Sequence, residues 1–400
     1  MNFDDNSLYN IKSSVDGKRY SLFELATWKN GLAFKKINFC ETGVPVIKIA
    51  ELNNGIGGTT AYTQQTFSED VHLCKGDLLF SWSGNPQTSI DIFRFNLDEG
   101  WLNQHIFKVT PDEKIVDRDY FYFLMKNLKP HFTQIATNKQ TTGLGHVTIA
   151  DIKRMSVVIP SLDVQREMVS YIKPIDDKIE LNNEINNNLE QQAKALYKDW
   201  FFDFSPFSSD GNLPNGWCLG TVGDIIQLHD SKRVPLSGAE RDKMAKVYPY
   251  YGATSLMDYV DNYLFDGIYL LLGEDGTVVD SLGFPILQYV YGQFWVNNHA
   301  HIITGKEGFS VEELYLFFSL TNIKSIVTGA VQQKVSQQNL KKVPAIIPSK
   351  QALSAFDEII QPIFAQIRNL RDENANLSQL RDTLLPKLMS GELDVSDIDL

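Results

Sequence analysis

The chain has 400 residues, with 43% hydrophobic and 22% charged side chains, which is ordinary for a soluble protein of two or more domains. It contains no run of about 18 apolar residues and its first residues lack the layout of a signal peptide, so we expect a cytoplasmic protein without a membrane span. The net charge of −12 excludes a uniformly basic surface. A local basic stripe remains compatible with it, because much of the acidity lies in the central helical segment and the last residues.

Residues 1–19 are polar and are expected to form a loosely held extension. Short β-rich runs then alternate with Gly and Asn turns, which predicts a mixed sheet. The clearest of these runs are Val44–Ile49, Asp77–Trp82 and His105–Val109. The aromatic segment Tyr120–Lys126 is predicted to be helical; it could stack on bases, but a helix packed in the core is the favoured interpretation.

The three cysteines, Cys40, Cys74 and Cys218, are widely spaced and form no Cys-x-x-Cys motif. They therefore provide neither a disulfide framework nor a zinc knuckle. We expect buried, reduced thiols.

One long segment of the sequence occurs twice. The stretch His146–Trp200 returns, altered but recognisable, as Lys334–Leu388. Two copies with so long a period indicate domain-sized halves, since solenoid repeats have periods of roughly 20–50 residues. Such a chain presents two similar surfaces, which suits a target with two half-sites or a complex with two equal partners.

The similarity also extends upstream into both globular regions. Gly76–Phe80 corresponds to Gly267–Leu271, and the aromatic segment Tyr120–Lys126 corresponds to Leu314–Leu320. The loops between these markers differ strongly. We expect a shared framework that carries different loops.

Each copy ends in a predicted long helix. Ser161 is expected to cap a short helix that runs to about Lys173, and Pro174 to begin a second, longer helix. Its apolar stripe advances in steps of four and three, as a packed helix pair requires, and each long helix should span roughly 40 Å, or about 27 residues. The residues predicted to pair the helices are Ile175, Ile179, Asn186, Leu189 and Leu196 in the first copy and Ile363, Ile367, Asn374, Leu377 and Leu384 in the second.

These stripes could also belong to one globular bundle. The duplication favours an antiparallel pair of matched helices, and we hypothesise that Asn186 and Asn374 meet near the pseudo-two-fold axis and fix the register. The predicted fold class is α+β, with two pseudo-symmetric α/β domains separated by a pair of long antiparallel helices. The predicted segments are an N-terminal extension (1–19), a first domain (20–160), a central helical region (161–204), a linker (205–214), a second domain (215–348), a C-terminal helical region (349–390) and an acidic tail (391–400).

An enzyme that acts alone should show its catalytic residues. The sequence has no P-loop lysine motif, no Asn-Pro-Pro-aromatic loop of an adenine methyltransferase and no Gly-rich cofactor loop. His299 and His301 alternate on one strand face and could bind a metal, but no Cys or carboxylate pattern accompanies them, so we predict no metal site. The sequence therefore predicts a non-catalytic scaffold and recognition protein.

The repeated block resembles the central region of the specificity (S) subunits of type I restriction-modification systems, the HsdS family. The order and duplication of its short motifs carry this resemblance. In the first copy the motifs are Thr142–Gly143, His146–Thr148, Asp151–Ile152, Val158–Pro160 and Gln165–Glu167; in the second they are Gly329, Lys334–Ser336, Leu340, Ile346–Pro348 and the closing segment Leu384–Leu393.

The resemblance implies a non-catalytic subunit with two target-recognition domains, each of which binds one half of a split double-stranded DNA sequence. It also implies two methyltransferase (M) subunits that transfer a methyl group from S-adenosylmethionine to adenine N6, and restriction (R) subunits that translocate and cleave DNA. The cofactors S-adenosylmethionine, ATP and Mg would then belong to those partners and none to this chain.

The candidate DNA contacts are polar and basic residues of the predicted loops. Asn and Gln can bond adenine edges, and Arg and Lys can bond guanine or phosphate. Gln140 and Lys334 are the strongest candidates, since the loops before the two helical blocks match in position. The full set is Lys35, Lys36, Asn85, Gln87, Arg94, Lys139, Gln140 and Thr141 in the first domain and Lys232, Arg233, Arg241, Lys243, Gln332, Gln333 and Lys334 in the second.

Two other functions were weighed against sequence recognition. A stand-alone DNA methyltransferase or nuclease is disfavoured by the missing motifs. A DNA-independent, pseudo-symmetric adaptor that binds two copies of a protein partner is the alternative that stays open.

Overall fold

The computed structural model describes residues 5–57, 60–140, 143–329 and 332–393. Contacts between residues divide the chain into two compact units. Unit 1 comprises Met1–Leu181 and Glu373–Leu400, and unit 2 comprises Asn182–Asp372. Both unit boundaries fall inside the two long helices of the chain.

Unit 1 contains short helices, small sheets and the first half of a long helix. Its helices are α1 (Asp5–Tyr9), α2 (Ile49–Asn54), α3 (Arg118–Asn127), α4 (Lys129–Asn138), α5 (Ile149–Arg154) and the beginning of α6 (Leu162–Phe201). Its strands are β1 (Lys18–Ser21), β2 (Ala26–Asn30), β3 (Val44–Ile47), β4 (Tyr62–Thr63), β5 (His72–Cys74), β6 (Leu78–Ser81), β7 (Ser83–Gly84), β8 (Asp91–Arg94), β9 (Glu99–Leu102), β10 (Ile106–Pro111), β11 (Gly145–His146) and β12 (Ser156–Ile159). They form four-stranded sheets in the orders β2-β10-β6-β8 and β4-β3-β9-β5, and the pairs β1-β12 and β7-β11.

Unit 2 again contains two two-stranded pairs, but its longer strands form one six-stranded sheet in place of two four-stranded sheets. Its helices are α7 (Val222–Ile225), α8 (Gly238–Arg241), α9 (Val311–Leu320), α10 (Gln337–Leu340) and most of α11 (Lys350–Ser390). Its strands are β13 (Cys218–Thr221), β14 (Ile226–Leu228), β15 (Tyr248–Tyr251), β16 (Leu256–Val260), β17 (Phe265–Gly273), β18 (Asp275–Gly276), β19 (Leu287–Val296), β20 (Ala300–Gly305), β21 (Gln333–Lys334) and β22 (Pro344–Ile347). The main sheet has the order β14-β20-β17-β19-β15-β16, beside the pairs β13-β22 and β18-β21.

The first and last strands of each globular part are paired antiparallel. Lys18 lies opposite Ile159 in β1-β12, and Cys218 lies opposite Ile347 in β13-β22. A long helix begins directly after each closing pair. We call the residues enclosed by the two closing pairs domain 1 (18–159) and domain 2 (218–347).

The aromatic helix α3 belongs to the core of unit 1. Tyr120, Phe121 and Phe123 are buried in one cluster with Phe80 and Ile92 of the neighbouring strands. Their rings are therefore unavailable for stacking on bases, and the favoured interpretation of this segment is confirmed. In unit 2, α9 occupies the matching place in the core.

The prediction of a helix break at Pro174 is wrong. A single helix, α6, runs through this position for 40 residues, and α11 runs for 41. A proline inside a helix removes one backbone hydrogen bond, at a cost of about 3 kcal/mol. The Pro174 ring is exposed, while Ile172 and Asp176 on either side are buried, so packing of the flanking residues offsets the loss.

Among the described residues, no helix is apolar enough over its length to cross a bilayer.

The long helices run antiparallel within unit 1. Arg381 Nη1 donates to Asp176 Oδ1 at 3.0 Å, and Asn374 Nδ2 donates to the carbonyl of Ile179 at 3.4 Å. Residue numbers therefore rise along α6 while they fall along α11. In unit 2 the same two helices meet through aromatic side chains, with the rings of Tyr197 and Phe356 5.5 Å apart.

Of the ten residues predicted to pair the helices, only Ile367 is fully buried. The other nine are half-buried: Ile175, Ile179, Asn186, Leu189, Leu196, Ile363, Asn374, Leu377 and Leu384. Neither asparagine is on a fully exposed face. Their meeting at the pseudo-axis stays a prediction, because Asn186 belongs to unit 2 and Asn374 to unit 1.

The N-terminal segment is packed, which corrects the expectation of a loose extension. Leu8 is 2% exposed and belongs to the core of unit 1. The amide of Ile11 donates to the carbonyl of Ser156 at 3.0 Å, and that of Ser14 to the carbonyl of Ser390 at 2.8 Å. Leu8, the partly buried Tyr9, Ile11 and Val15 that pack against the same core, and these backbone bonds anchor the described part of the segment.

The cysteine expectation is also wrong in part. The thiols of Cys40, Cys74 and Cys218 are free, but all three residues are exposed. Cys218 begins β13 and Cys74 ends β5, so their side chains lie where strands leave the sheet. Strand ends at the protein surface do not bury a small apolar side chain, whatever its type prefers.

Gln165 fastens the start of α6 to domain 1. It is completely buried; its Oε1 accepts from the amide of Asp117 at 2.7 Å, and its Nε2 donates to the carbonyls of Ile115 and Pro160 at 3.0 and 2.8 Å. The residue at the matching position of the second copy is Leu353, which is buried among apolar side chains.

We predict that Gln165→Leu lowers the free energy of unfolding by about 2 kcal/mol, because three buried backbone groups lose their partner. Urea unfolding of the full chain, followed by circular dichroism, measures the change. Arg166→Leu is the matched control, since the Arg166 side chain is 62% exposed and should shift stability by no more than about 0.5 kcal/mol. Equal unfolding midpoints for the two variants would contradict the role of Gln165.

Glu313 is an acid in the core of unit 2. It is 0% exposed, its Oε2 accepts from the amide of Ser310 at 2.8 Å, and its Oε1 has no hydrogen-bond partner among the described residues. Burial raises the pKa of Glu313 from 4.5 to about 8, against the opposing effect of Ser310. The folded chain therefore keeps a proton on this group at neutral pH.

A raised carboxyl pKa means that the folded state binds more protons between pH 4.5 and pH 8, so stability falls as pH rises through that range. We predict that Glu313→Gln is more stable than the wild type at pH 8 and equally stable at pH 4.5. The stability difference at pH 8 should not exceed about 1.4 kcal/mol for each unit by which folding raises the pKa. Thermal melts at the two pH values test this, with the exposed Glu358→Gln as control. A pH-independent difference would exclude the titration of Glu313 as its cause.

Candidate nucleic-acid interface

In unit 1, a two-stranded ribbon brings two loops together. We call β7 with β11 the first ribbon; Gly84 lies opposite Gly145 in it, and His146 lies opposite Ser83. Gly84 has φ of 134°, and a Cβ there would lie 2.6 Å from the Cβ of Ser89, so the loop after β7 folds closely over the ribbon. This position requires glycine for both reasons.

Asn85 shapes the loop that follows the first ribbon. Its Oδ1 accepts from the amides of Gln87 and Thr88 at 3.0 and 3.3 Å, which is the pattern of an Asx turn. The side chains of Asn85 and Gln87 remain exposed. The other loop, before β11, carries the exposed Gln140, while the candidate Thr141 lies outside the described residues.

Lys139 precedes Gln140 and is held by an ion pair. Its Nζ lies 2.6 and 2.5 Å from the two carboxylate oxygens of Asp151. Burial alone would raise the pKa of Asp151, but hydrogen bonds from Lys139 and Thr148 hold it below its ordinary value. Lys139 therefore anchors the loop to α5, and its charge is largely neutralised.

Unit 2 has a ribbon at the matching place. We call β18 with β21 the second ribbon; Asp275 lies opposite Lys334, and Gly276, with φ of 94°, lies opposite Gln333. Gln332 is exposed, and Gln333 is half-buried. Lys334 is exposed, with its Nζ 3.4 Å from Glu274 Oε1. Both strongest candidates, Gln140 and Lys334, thus lie at the ribbons.

Three arginine candidates are committed to internal ion pairs. The side chains of Arg94, Arg233 and Arg241 are only 16%, 13% and 15% exposed. They pair with Asp119 and Asp176, with Glu274, and with Asp258, respectively. Breaking a buried ion pair is strongly unfavourable, so these arginines stabilise the fold and are not proposed as DNA contacts.

The remaining lysine candidates are exposed but lie on other loops. Lys35 and Lys36 stand at a short 3-10 turn next to Ile37, whose side chain is 83% exposed. Lys232 ends another 3-10 turn, and Lys243 follows α8. None of these four lysines lies on a ribbon strand or in a loop that directly precedes or follows one. Their role as phosphate contacts stays a prediction.

Sequence analysis missed the ribbon strands themselves. Ser83 and Asp275 occupy matching positions, and the imidazole Nδ1 of His299 lies 2.6 Å from Asp275 Oδ1. The repeat could have revealed these two residues. Ser83 and Asp275 each follow at a similar distance from the start of a matched strand, near Gly76 and near Gly267. Two-residue strands are too short to show a period in sequence.

A buried charge cluster supports the second ribbon. His301 is 0% exposed; its Nδ1 lies 2.6 Å from Asp230 Oδ2 and its Nε2 lies 2.8 Å from the carbonyl of Val335, directly after β21. Burial would raise the pKa of Asp230, but the hydrogen bond from His301 and the charge of Arg233 hold it below its ordinary value. Both ring nitrogens of His301 thus lie within hydrogen-bond distance of an oxygen, one of a carboxylate and the other of a backbone carbonyl.

The same cluster has the geometry of a cation site. Ligand atoms of Asp230, Glu274 and His301 lie within 4.8 Å of one another. However, Arg233 Nη1 already lies 2.6 Å from Glu274 Oε2, and His301 bonds Asp230. Arg233 and His301 thus already occupy the two carboxylates, and a divalent ion could bind only after displacing them.

Both halves of the chain match one protein family, described as Type I restriction modification DNA specificity domain, over residues 15–191 and again over residues 214–379. The chain belongs to this family. It is similar to the Type I restriction enzyme MjaIX specificity subunit of Methanocaldococcus jannaschii, with 25% identity over 74% of this chain and 73% of that one. It is also similar to the Type I restriction enzyme HindI specificity subunit of Haemophilus influenzae, with 24% identity over 80% and 87%.

The fold is shared with a crystal structure of a type I restriction-modification system S subunit from M. genitalium. That structure matches with a TM-score of 0.52 and 15% identity, over 94% of this chain and 97% of that one. The predicted fold class, a mixed α+β chain with a repeated domain and long helices, is confirmed.

We predict that His301→Ala lowers the free energy of unfolding by about 3 kcal/mol, because Asp230 and the Val335 carbonyl both lose a buried hydrogen-bond partner. His299→Ala is the control; that side chain is 47% exposed, and its loss should cost less than about 1 kcal/mol. Dialysis of the wild type against EDTA should leave its melting temperature unchanged. A drop on chelation would instead identify a metal bound at the cluster.

Proposed function

We propose that this chain is the DNA sequence-recognition subunit of a type I restriction-modification complex, and that its two domains recognise the two halves of a bipartite target. The observation that carries the proposal is the pair of matched ribbons, which present different exposed side chains on the same framework. A shared framework with different contact residues is what two different half-site sequences require.

The chemistry of the ribbon loops suits base edges. Gln87 and Gln140 lie at the first ribbon with exposed amides, which can bond the N6 and N7 of adenine in pairs. The Asn85 oxygen accepts two backbone amides, so Asn85 would contact a base or phosphate through its Nδ2 group. Gln332 and Lys334 give the second ribbon an amide and an ammonium group, which suits adenine together with guanine or phosphate. We propose these five residues as the first set of base and backbone contacts.

The long helices supply the second part of the proposal. We propose that α6 and α11 set the number of base pairs between the half-sites and that partner methyltransferase subunits dock along them. Methyl transfer from S-adenosylmethionine to adenine N6 would take place on those partners in the cytoplasm, with ATP and Mg confined to restriction subunits. This chain would contribute binding and orientation without catalysis.

The decisive experiment is genome-wide adenine methylation in a host that expresses this chain with its methyltransferase partner, compared with a host that lacks this chain. A split motif that disappears on deletion is the expected result. Unchanged methylation, with both proteins expressed and associated, would contradict sequence recognition and favour the DNA-independent adaptor.

We further predict that Gln140→Ala relaxes the first half of the motif and Gln332→Ala the second, at a cost of about 1–3 kcal/mol of discrimination for each base pair affected. Lys114→Ala and Gln227→Ala are matched exposed controls, one in each domain. They lie toward the opposite ends of β10 and β20 from the ribbons, since Ile106 pairs with Ser81 and Ala300 with Gly273. Relaxation of the same half-site by both glutamine variants would refute the assignment of one half-site to each domain.

A further inference from the structure

Strand pairing aligns the end of β6 with the end of β17, which moves the sequence alignment of Gly76–Phe80 with Gly267–Leu271 by one residue. Ser81 and Gly273 are the last residues of β6 and β17. The residue three places before Ser81 lies opposite Arg94, and the residue three places before Gly273 lies opposite Tyr289. Arg94 and Tyr289 are therefore equivalent, although one is a cation and the other is neutral.

A second matched position lies on the helices α3 and α9, whose capping residues move the sequence alignment of Tyr120–Lys126 with Leu314–Leu320 by one residue. Asp119 and Glu312 are each the second residue of the helix, after the capping residues Asp117 and Ser310. Both helices thus carry a carboxylate in the first turn, where the helix dipole favours negative charge.

In unit 1 these positions connect domain 1 to the long helices. Arg94 Nη2 donates to Asp119 Oδ1 and Arg94 Nη1 to Asp176 Oδ2 of α6, each at 3.0 Å. Arg381 of α11 donates to the other oxygen of Asp176 at 3.0 Å. The Asp176 side chain is only 8% exposed. We call these four residues the first joint.

In unit 2 the equivalent positions connect domain 2 to α11. Glu312 Oε1 accepts from the Tyr289 hydroxyl at 2.6 Å and from Arg368 Nη1 at 3.1 Å, and Glu312 Oε2 accepts from Gln361 at 3.1 Å. Arg368 also donates to the Tyr289 hydroxyl. The Glu312 side chain is 3% exposed. We call these four residues the second joint.

The polarity of the two joints is reversed. In the first joint, domain 1 offers the cation Arg94 and α6 offers the carboxylate of Asp176, with Glu180 Oε1 3.8 Å from Arg94. In the second joint, domain 2 offers the carboxylate of Glu312 and α11 offers the cation Arg368. Glu180 and Arg368 stand at matching positions of the repeat, so the long helices carry opposite charges at the same place.

We propose that the joints are positioning devices that fix the orientation of each domain on its own helix and match each domain to that helix by charge. Asp176 and Arg368 are the positioning residues. Domain 1 placed on α11 would set the ion pair of Arg94 and Asp119 against Arg368 in place of a carboxylate alone, and domain 2 placed on α6 would set Glu312 against Glu180. The like charges disfavour such exchanges, less at Glu180, whose side chain is 56% exposed, than at Arg368, whose side chain is 20% exposed.

This inference rests on the proposed function, because orientation matters for reading bases. Contact residues must be held within about 0.5 Å and 10–20° of the productive geometry to act. The ribbons belong to the same domains that the joints hold, so a loosened joint would let one ribbon move against its half-site.

The test uses the full chain in complex with its methyltransferase partner and three variants: Arg368→Glu, Glu312→Arg and the double exchange of both. Arg368→Glu should slow methylation on the order of 10- to 100-fold, as expected for a displacement of about 1 Å. The relaxed bases should lie in one half of the motif only, and the tolerance for a spacer one base pair longer or shorter should increase. The double exchange, which restores an opposite-charge pair, should recover most of the rate and the original motif.

Lys350→Glu is the matched control, since it makes the same charge reversal on α11 at a side chain that is 82% exposed. It should leave rate and motif unchanged. Wild-type rate and motif in Arg368→Glu, or no recovery in the double exchange, would overturn the proposal. If Arg368→Glu does not fold, Arg368→Gln removes the charge without reversing it and should show the same half-site effect in weaker form.

Hydrogen exchange separates failure of the joint from failure of the proposed function. Arg368→Glu should accelerate amide exchange in α9, and the double exchange should restore protection, whether or not the complex methylates a split motif. Absence of a split motif with these exchange results would reject the proposed function and retain the joint. Unchanged exchange in Arg368→Glu would reject the joint itself.

Discussion

The pairing of the first and last strands of each domain is the constraint on which the rest of the structure depends. β1 pairs with β12, and β13 pairs with β22, so each domain is closed at the point where a long helix begins. The backbone bonds of a short antiparallel pair fix the position of the next few residues. Gln165 adds three side-chain bonds at this point in unit 1, and Leu353 fills the same place by apolar packing in unit 2. The two halves thus solve one geometric problem with different chemistry.

The candidate contact residues fall into two groups, those that form ion pairs inside the protein and those that are exposed at the ribbons. Arg94, Arg233 and Arg241 form pairs inside the protein, whereas Gln140, Gln332 and Lys334 are exposed at the ribbons. The chain has a net charge of −12, and its internal carboxylates form ion pairs with several basic residues that a simple count would assign to DNA. Under the proposed function, the side chains that would contact DNA are largely amides, which bond base edges and add little to nonspecific attraction for phosphate. Sequence selectivity would then come with modest affinity from this chain alone.

The sequence predicted the repeat, the α3 helix, the long helices and the place of the loops, because each of these leaves a regular pattern of apolar residues. It failed at Pro174, since local propensity cannot weigh the burial of Ile172 and Asp176 against one lost hydrogen bond. It also assigned Arg94 to a surface loop. The partner Asp176 lies far along the chain, and only the fold brings the two within 3.0 Å.

Sequence by itself thus determined the family, the duplication and the elements of this protein, because these depend on local periodicity and on self-similarity between the halves. Tertiary structure alone decided which basic residues are neutralised, which loops meet at a ribbon and how each domain is held to its helix. The physical reason is that ion pairing and burial depend on distances between residues that are remote in sequence. The reversed polarity of the joints shows this most directly, since Glu180 and Arg368 are unremarkable helix-surface charges until Arg94 and Glu312 are placed beside them.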